Sequence, residues 1–337
     1  MADLTGMMQA AAGVGGAPGG GSYIVVSNDG SPSVTLLDHT TPGTVTLAAT
    51  YAAAGRSNSG QFSPDGNYIA IGNENSPYMT LLDHTTPGSL SLATTYNVGN
   101  QADAVAFSKD GNYIAVGFRS PPYFCILDHT TPGTLSLAST YSLSTVPAES
   151  SISFSPDNDY IGVAKSGSTN NFQLLNYSAG SVTTAATYSV SDDAKSCAFS
   201  PDQNYIAVGH AVTPYFTLLD HTTPGSLSLA ATYTLAGNGN GVDFNYLGTY
   251  ISVGHANSPY FTLLDHTTPG TVTLAATYTQ NAASYGAWFS PDGSYIATVL
   301  VAGARFALLD HTTPGTVTLA ATYLTAAGAF DARFSPN

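Results

Sequence analysis

The hexapeptide Asp-His-Thr-Thr-Pro-Gly begins at Asp38, Asp83, Asp128, Asp220, Asp265 and Asp310, and a degenerate copy, Asn176-Tyr177-Ser178-Ala179-Gly180, fills the long gap. A second marker, Phe-Ser-Pro-Asp-Gly-x-Tyr in its fullest form, recurs with its aromatic at Phe62, Phe107, Phe154, Phe199, Phe244, Phe289 and Phe334. Both markers count seven, and neighbouring copies are typically 45 residues apart. A unit of that size cannot bury its apolar face alone, so stacking or closing the units dictates the architecture.

Between the markers lie short runs such as Tyr113-Ile114-Ala115-Val116, Tyr260-Phe261-Thr262-Leu263-Leu264 and Thr271-Val272-Thr273-Leu274, bounded by Gly, Pro, Asn, Asp or Ser. Their β-branched and aromatic content and their turn-forming flanks predict strands, and no period of 3.6 predicts helices in the repeats. Each unit holds four strands, A ending at the marker Phe, B starting at the Tyr, C ending in Leu-Leu-Asp and D reading Thr-Leu-Ala-Ala-Thr-Tyr. Four strands in about 45 residues make a blade of a β-propeller. The first repeat opens on strand B at Tyr23, whereas residues 332–337 form a strand A with nothing after it. Together the two fragments complete one blade, which predicts an all-β, seven-bladed propeller over residues 23–337 whose C-terminal strand closes the ring.

The Phe-Ser-Pro-Asp-Gly-x-Tyr marker and the blade period resemble WD40-like and YVTN-type seven-bladed propellers. Gly-His occurs only at Gly209-His210 and Gly254-His255, the Trp-Asp pair is absent, and the single tryptophan is Trp288 in a strand A. The resemblance therefore implies the fold and no binding residues.

Seven Lys and Arg against 21 Asp and Glu give a net charge of −14, with 8% charged residues in all. Clustered bases are what nucleic acids and anionic membranes require, so neither is an expected partner. No apolar run approaches the roughly 18 residues of a membrane-crossing helix. Cys125 and Cys197 stand where sister repeats carry Thr262 and Val105, which predicts two small buried side chains rather than a bridge.

The two faces of such a disc differ. The A–B and C–D turns, all variants of Ser-Pro-Asp-Gly and Asp-His-Thr-Thr-Pro-Gly, form a uniform face that takes twelve of the 21 acids and one base, Lys109. The B–C loops and D–A crossovers form a variable face, where individual contacts are expected. Its candidate partner-binding residues are Arg56, Glu74, Arg119, Glu149, His210, His255 and Arg305, directed at a protein or glycan ligand. The repeated Asp-His pair is read as turn chemistry, because adjacent strand residues point oppositely and Thr-Pro-Gly-Thr suits a type II turn. No metal and no cofactor are expected, with calcium across the acidic turns as the alternative.

Residues 1–22 stand outside the repeat. Leu4, Met7, Met8 and Ala11 form an apolar i, i+3, i+4, i+7 stripe, followed by a Gly-rich linker, and predict a docking peptide on a larger protein assembly. The style of this tail on a base-poor Ser/Thr/Gly body resembles structural proteins of tailed bacteriophages. With no nucleophile elbow, phosphate loop or metal spacing, the expected function is non-enzymatic: a virion-associated tail, fibre or capsid-decorating propeller. The alternatives are a secreted or cell-surface adhesin or lectin, and a lactonase-like propeller enzyme.

Overall fold

The computed structural model describes residues 21–167, 169–303 and 305–336. The tail residues Leu4, Met7, Met8 and Ala11 lie outside the described residues. Twenty-eight strands, numbered β1 to β28 in chain order, form seven four-stranded antiparallel sheets. One sheet joins the ends of the chain in the order β28 (Ala329–Phe334), β1 (Tyr23–Asn28), β2 (Val34–Asp38), β3 (Thr46–Tyr51), with Val25 opposite Arg333. The ring is closed as the repeat boundaries predict.

The seven A strands are innermost: β4 (Ser57–Phe62), β8 (Ala102–Phe107), β12 (Pro147–Phe154), β16 (Ala194–Phe199), β20 (Gly239–Phe244), β24 (Ser284–Phe289) and β28. Each packs on the A strands of both neighbouring blades. B and C strands are buried almost throughout because each sheet is sandwiched between two others, whereas the D strands at the rim alternate between half-buried and exposed. A bulge recurs near the start of each A strand and another in the middle of each C–D pair. An extra residue on one strand increases the local twist, so each blade turns from axis to rim.

The Asp-His-Thr-Thr-Pro-Gly turn welds neighbouring blades. Asp83 Oδ1 accepts from Thr85 N at 2.8 Å and from Thr85 Oγ1 at 2.6 Å, closing an Asx turn, and these bonds hold its carboxyl below the usual carboxylate range. The adjacent His84 is buried edge-on between Phe62 of its own blade and Tyr23 of the preceding one, with centroids 5.4 and 5.1 Å away. Its Nδ1 lies 2.9 Å from Gly66 O and must donate there, while its Nε2 accepts from Gly88 N at 3.2 Å, which assigns the ring proton to Nδ1. His129, His221, His266 and His311 repeat the arrangement. In the degenerate blade Tyr177 takes the wedge position between Tyr113 and Phe154.

The A–B turn is set by side chains of the same kind. Ser63 Oγ donates to Asp65 Oδ1 and accepts from Tyr68 N, and Gly66 takes the left-handed φ of 74° that completes the turn.

Cys125 and Cys197 are free and buried in different clusters, and burial pushes both thiols up to about 12. Neither thiol is expected to react with a disulfide reagent at pH 8 until the chain is denatured, which a spectrophotometric thiol titration checks. Replacing His129 with Ala removes both hydrogen bonds and the aromatic contacts of one wedge. The expected loss of stability is about 2–4 kcal/mol, read from urea unfolding.

Candidate functional site

Seven inner strands converge on the axis, and each leaves one backbone edge without a partner strand. Side chains of the preceding blade cap these edges. Gln61 Oε1 accepts from Phe107 N at 2.6 Å, Asp243 Oδ2 from Phe289 N at 3.0 Å, Ser196 Oγ from Val242 N at 3.1 Å and Asp331 Oδ2 from Gly60 N at 3.2 Å. Asn58 and Asn240 donate through Nδ2 to Ala102 O and Ser284 O, each at 2.8 Å. Midway along the axis the strands approach closely: a Cβ on Gly241 would stand 2.5 Å from the Cα of Gly286 in the next blade. One cavity lies at the start of the inner strands and another at their marker-Phe ends.

The larger cavity, about 500 Å³, lies on the variable face. Its walls come from the starts of the inner strands, from the D–A crossovers and from B–C loops, including Asp103, Arg119, Glu149, Lys195, Tyr285 and Phe330. Arg119 Nε stands 2.7 Å from Asp103 Oδ2, and Arg119 Nη2 stands 3.7 Å from Glu149 Oε1. Arg56 reaches the same Glu149 oxygen through Nη2 at 2.8 Å, donates through Nε to Asn58 Oδ1 at 2.6 Å and lays its guanidinium 4.5 Å over the Phe330 ring. Phe330 and Tyr285 stack at a tilt, 5.1 Å apart, as an aromatic wall. Lys195 pairs with Asp193 at 3.4 Å.

Burial raises the carboxyl of Asp103, a shift opposed by the hydrogen bond and charge of Arg119. Burial likewise raises Glu149, with Arg56 pulling down and Asp103 pushing up. The hydrogen bond to Asp103 raises Arg119 further. Two carboxylates on one guanidinium, with water partly excluded, are a proton-transfer arrangement next to fixed positive charge.

Of the sequence-selected residues, Arg56, Arg119 and Glu149 meet here. Glu74 is exposed on its B–C loop, outside the cavity wall. Arg305 donates through Nη1 to Thr325 O at the rim. His210 and His255 are not on the face at all: each closes a B strand, fully buried, with Nε2 3.0 Å from Thr217 Oγ1 or Thr262 Oγ1. Burial pushes both imidazoles down to about 4. The bulge that follows the D–A crossover turns these strand ends inward, so positions read as loop are core. Sequence reasoning missed Asp103, Lys195, Tyr285 and Phe330 as a group. The signal was present: the position four before the marker Phe reads Asn58, Asp103, Ser150, Lys195, Asn240, Tyr285 and Phe330, different in nearly every repeat.

Residues 19–220, more than half the chain, match the family model described as the cytochrome D1 heme domain. The chain belongs to that family. No curated protein matches this heme-domain relative in sequence. Among solved structures it superposes on a candidate 6-phosphogluconolactonase of Bacteroides uniformis with a TM-score of 0.80 at 14% identity, covering 94% of this chain and 99% of that one. A periplasmic gluconolactonase of Pseudomonas aeruginosa follows at 0.79 and 15%, covering 93% and 98%. Hydrazine synthase of Kuenenia stuttgartiensis superposes at 0.66 and 19%, covering 94% and 99%. At these identities the likeness is one of fold. The matches overturn the expectation of a non-enzymatic virion component: the family is a heme domain, the neighbours named here are enzymes, and no virion protein stands among them.

The family implies a heme, and the residues present do not fit one. Heme iron takes His, Cys, Met or Tyr as its axial ligand. None of the eight histidines lines either axial cavity: six are held in blade wedges and two in blade interiors. Cys125, Cys197 and Met79 are buried between blades. In the two axial cavities, among the described residues, only Tyr285 is a side chain of that kind, and burial raises its hydroxyl, against the ionised form that ligation needs.

Replacing Arg119 with Ala strands Asp103, whose side chain is 2% exposed. A loss of about 1–3 kcal/mol in urea unfolding is expected, and adding Asp103→Asn is expected to recover most of it.

Proposed function

We propose that this propeller hydrolyses a small hydroxyl-bearing lactone, such as a sugar lactone, in the variable-face cavity. The observation that carries the reading is the Asp103–Arg119–Glu149–Arg56 array, in which two carboxylates with raised pKa share guanidinium partners at 2.7–3.7 Å in a cavity of about 500 Å³. Lactone opening needs a base to deprotonate the attacking water, positive charge where the carbonyl oxygen becomes an oxyanion, and a proton for the departing ring oxygen.

Glu149 is the base in this reading, because it reaches the cavity and its raised pKa brings it nearer neutrality. Arg119 faces the developing oxyanion, and Arg56, outside the cavity lining, holds Glu149 in place. Asp103, more deeply buried, fixes Arg119 and holds it charged. The Tyr285–Phe330 wall offers an apolar surface to a sugar ring, while Lys195, Asn238 and Asn240 are the donors within reach of its hydroxyls or of an attached phosphate. The names of the Bacteroides and Pseudomonas neighbours support the same substrate class.

The test is hydrolysis of glucono-δ-lactone and of 6-phosphogluconolactone, followed in a pH-stat with the spontaneous rate subtracted. Glu149→Gln is expected to lower kcat/KM by about 10²–10⁴-fold with an unchanged melting temperature. The wild-type rate is expected to fall as pH drops through the folded Glu149 pKa, above the ordinary 4.5, since the protonated acid accepts no proton. A wild-type rate equal to that of Glu149→Gln on both lactones sinks the reading.

A further inference from the structure

The axis ends on the uniform face in a second cavity, of about 320 Å³, that the lactone reading does not use. This face carries twelve repeat-borne aspartates, yet its cavity is lined by two bases, Lys109 and Arg333, and a single acid, Asp243. Marker phenylalanines, Trp288 and turn prolines form most of the remaining wall. Arg333 is fixed: its Nε lies 3.1 Å from Asp331 Oδ1 and its guanidinium stands 4.5 Å over the Trp288 ring.

Two features of this cavity stand out. Lys109 is the one base whose side chain has neither an ion-pair partner nor a hydrogen-bond acceptor among the described residues. Trp288 is 2% exposed, and its indole N–H is buried without an acceptor. Lys109 is exposed at the mouth, so its ammonium, held by no protein group among the described residues, is free to meet a ligand there. The position before the marker Phe supports the same conclusion. It is Ala or Ser in three blades and becomes Gln61, Asp243, Trp288 and Arg333 in the others, so this end of the axis is as individual as the opposite one.

We propose that the uniform-face mouth binds a compact oxyanion, a phosphate or carboxylate group, between Lys109 and Arg333, against the wall that the Trp288 ring helps to form. Guanidinium and ammonium supply charge-assisted hydrogen bonds, and the surrounding rings exclude water that would weaken them. The aspartate turns outside the mouth disfavour anions in general, so only a group small enough to reach the two bases is retained.

Asp243 tunes the site. Burial foremost pushes its carboxyl up to about 6, against the attraction of Arg333 and Lys109 and the Phe289 N–H. The other charged groups facing it are those two bases, of which Arg333 is itself paired with Asp331. Above that value Asp243 adds a negative charge opposing the ligand. Below it the carboxyl is neutral, and binding tightens.

Trp288 is the only tryptophan of the chain, so its fluorescence reports on this cavity alone. The full-length protein is titrated at pH 7 with inorganic phosphate and, separately, with acetate, holding ionic strength constant with chloride. A saturable emission change is expected with at least one of them: with phosphate alone the site takes phosphoryl groups, with acetate alone carboxylates. Lys109→Gln is expected to weaken binding about tenfold or more, while Arg305→Gln, which removes a rim charge, leaves it unchanged. Sulfate, which stays a dianion throughout, is expected to bind more tightly as pH falls through about 6. The proposal is overturned if neither anion gives a response beyond that of chloride, or if Lys109→Gln binds with wild-type affinity.

Discussion

The edge-on packing of one imidazole between a Phe of its own blade and a Tyr of the blade before it is the contact on which this ring depends. A blade presents two broad apolar faces, and hydrophobic burial alone does not decide how far one sheet is rotated on the next. The wedge decides it. His84, set between Tyr23 and Phe62, also ties the A–B turn to the C–D turn of its blade through its two ring nitrogens. A single side chain thus fixes the turn, the blade and the neighbouring blade. Five further histidines repeat the aromatic packing, and where the histidine is lost, at Tyr177, an aromatic ring remains while the turn around it shortens. The geometry of the ring requires the aromatic edge more strictly than it requires the imidazole.

With closure secured at the uniform face, the inner strands are free to differ. Their exposed backbone edges need only some polar side chain from the blade before, and Gln61, Ser196, Asp243 and Asp331 all serve. Capping by different residues admits chemical variety at the axis without loss of the strand arrangement. This is how charged groups of both signs come to stand along the axis, at the Arg56–Glu149–Arg119–Asp103 array on one side and at Arg333 and Lys109 on the other.

The blade count, the four strands per blade and the closing strand were legible because each rests on a periodic signal repeated seven times. Membership of the heme-domain family was not, since no histidine, cysteine or methionine among the described residues lines the axial cavities for a reader to find. In the larger cavity, Arg56, Arg119 and Glu149 were visible through rarity: with few charges in the chain, each one off the repeated turns stands out. Asp103 was not legible in the same way, because the cavity is built from one repeat position occupied by different residues, which leaves no shared motif to mark it. Tyr285 and Phe330 read as core because aromatic residues in an inner strand ordinarily are.

His210 and His255 show the opposite error, and the seven repeats themselves contain its correction. The last residue of strand B pairs in space with one residue of strand C, and the two change character together. Asn28 meets Thr35, Asn73 meets Thr80, Lys165 meets Gln173, and the two histidines meet Thr217 and Thr262, each through a hydrogen bond of 2.8 to 3.0 Å. The remaining two positions are Phe118 and Leu300, and their counterparts Cys125 and Ala307 accept no such bond. A buried polar group without a partner costs about 1–3 kcal/mol, so a polar residue on one strand is retained only with a partner on the other. Joint variation of that kind marks an interior pair. Independent variation, as at the position four before each marker Phe, marks a surface that faces a ligand rather than another part of the chain.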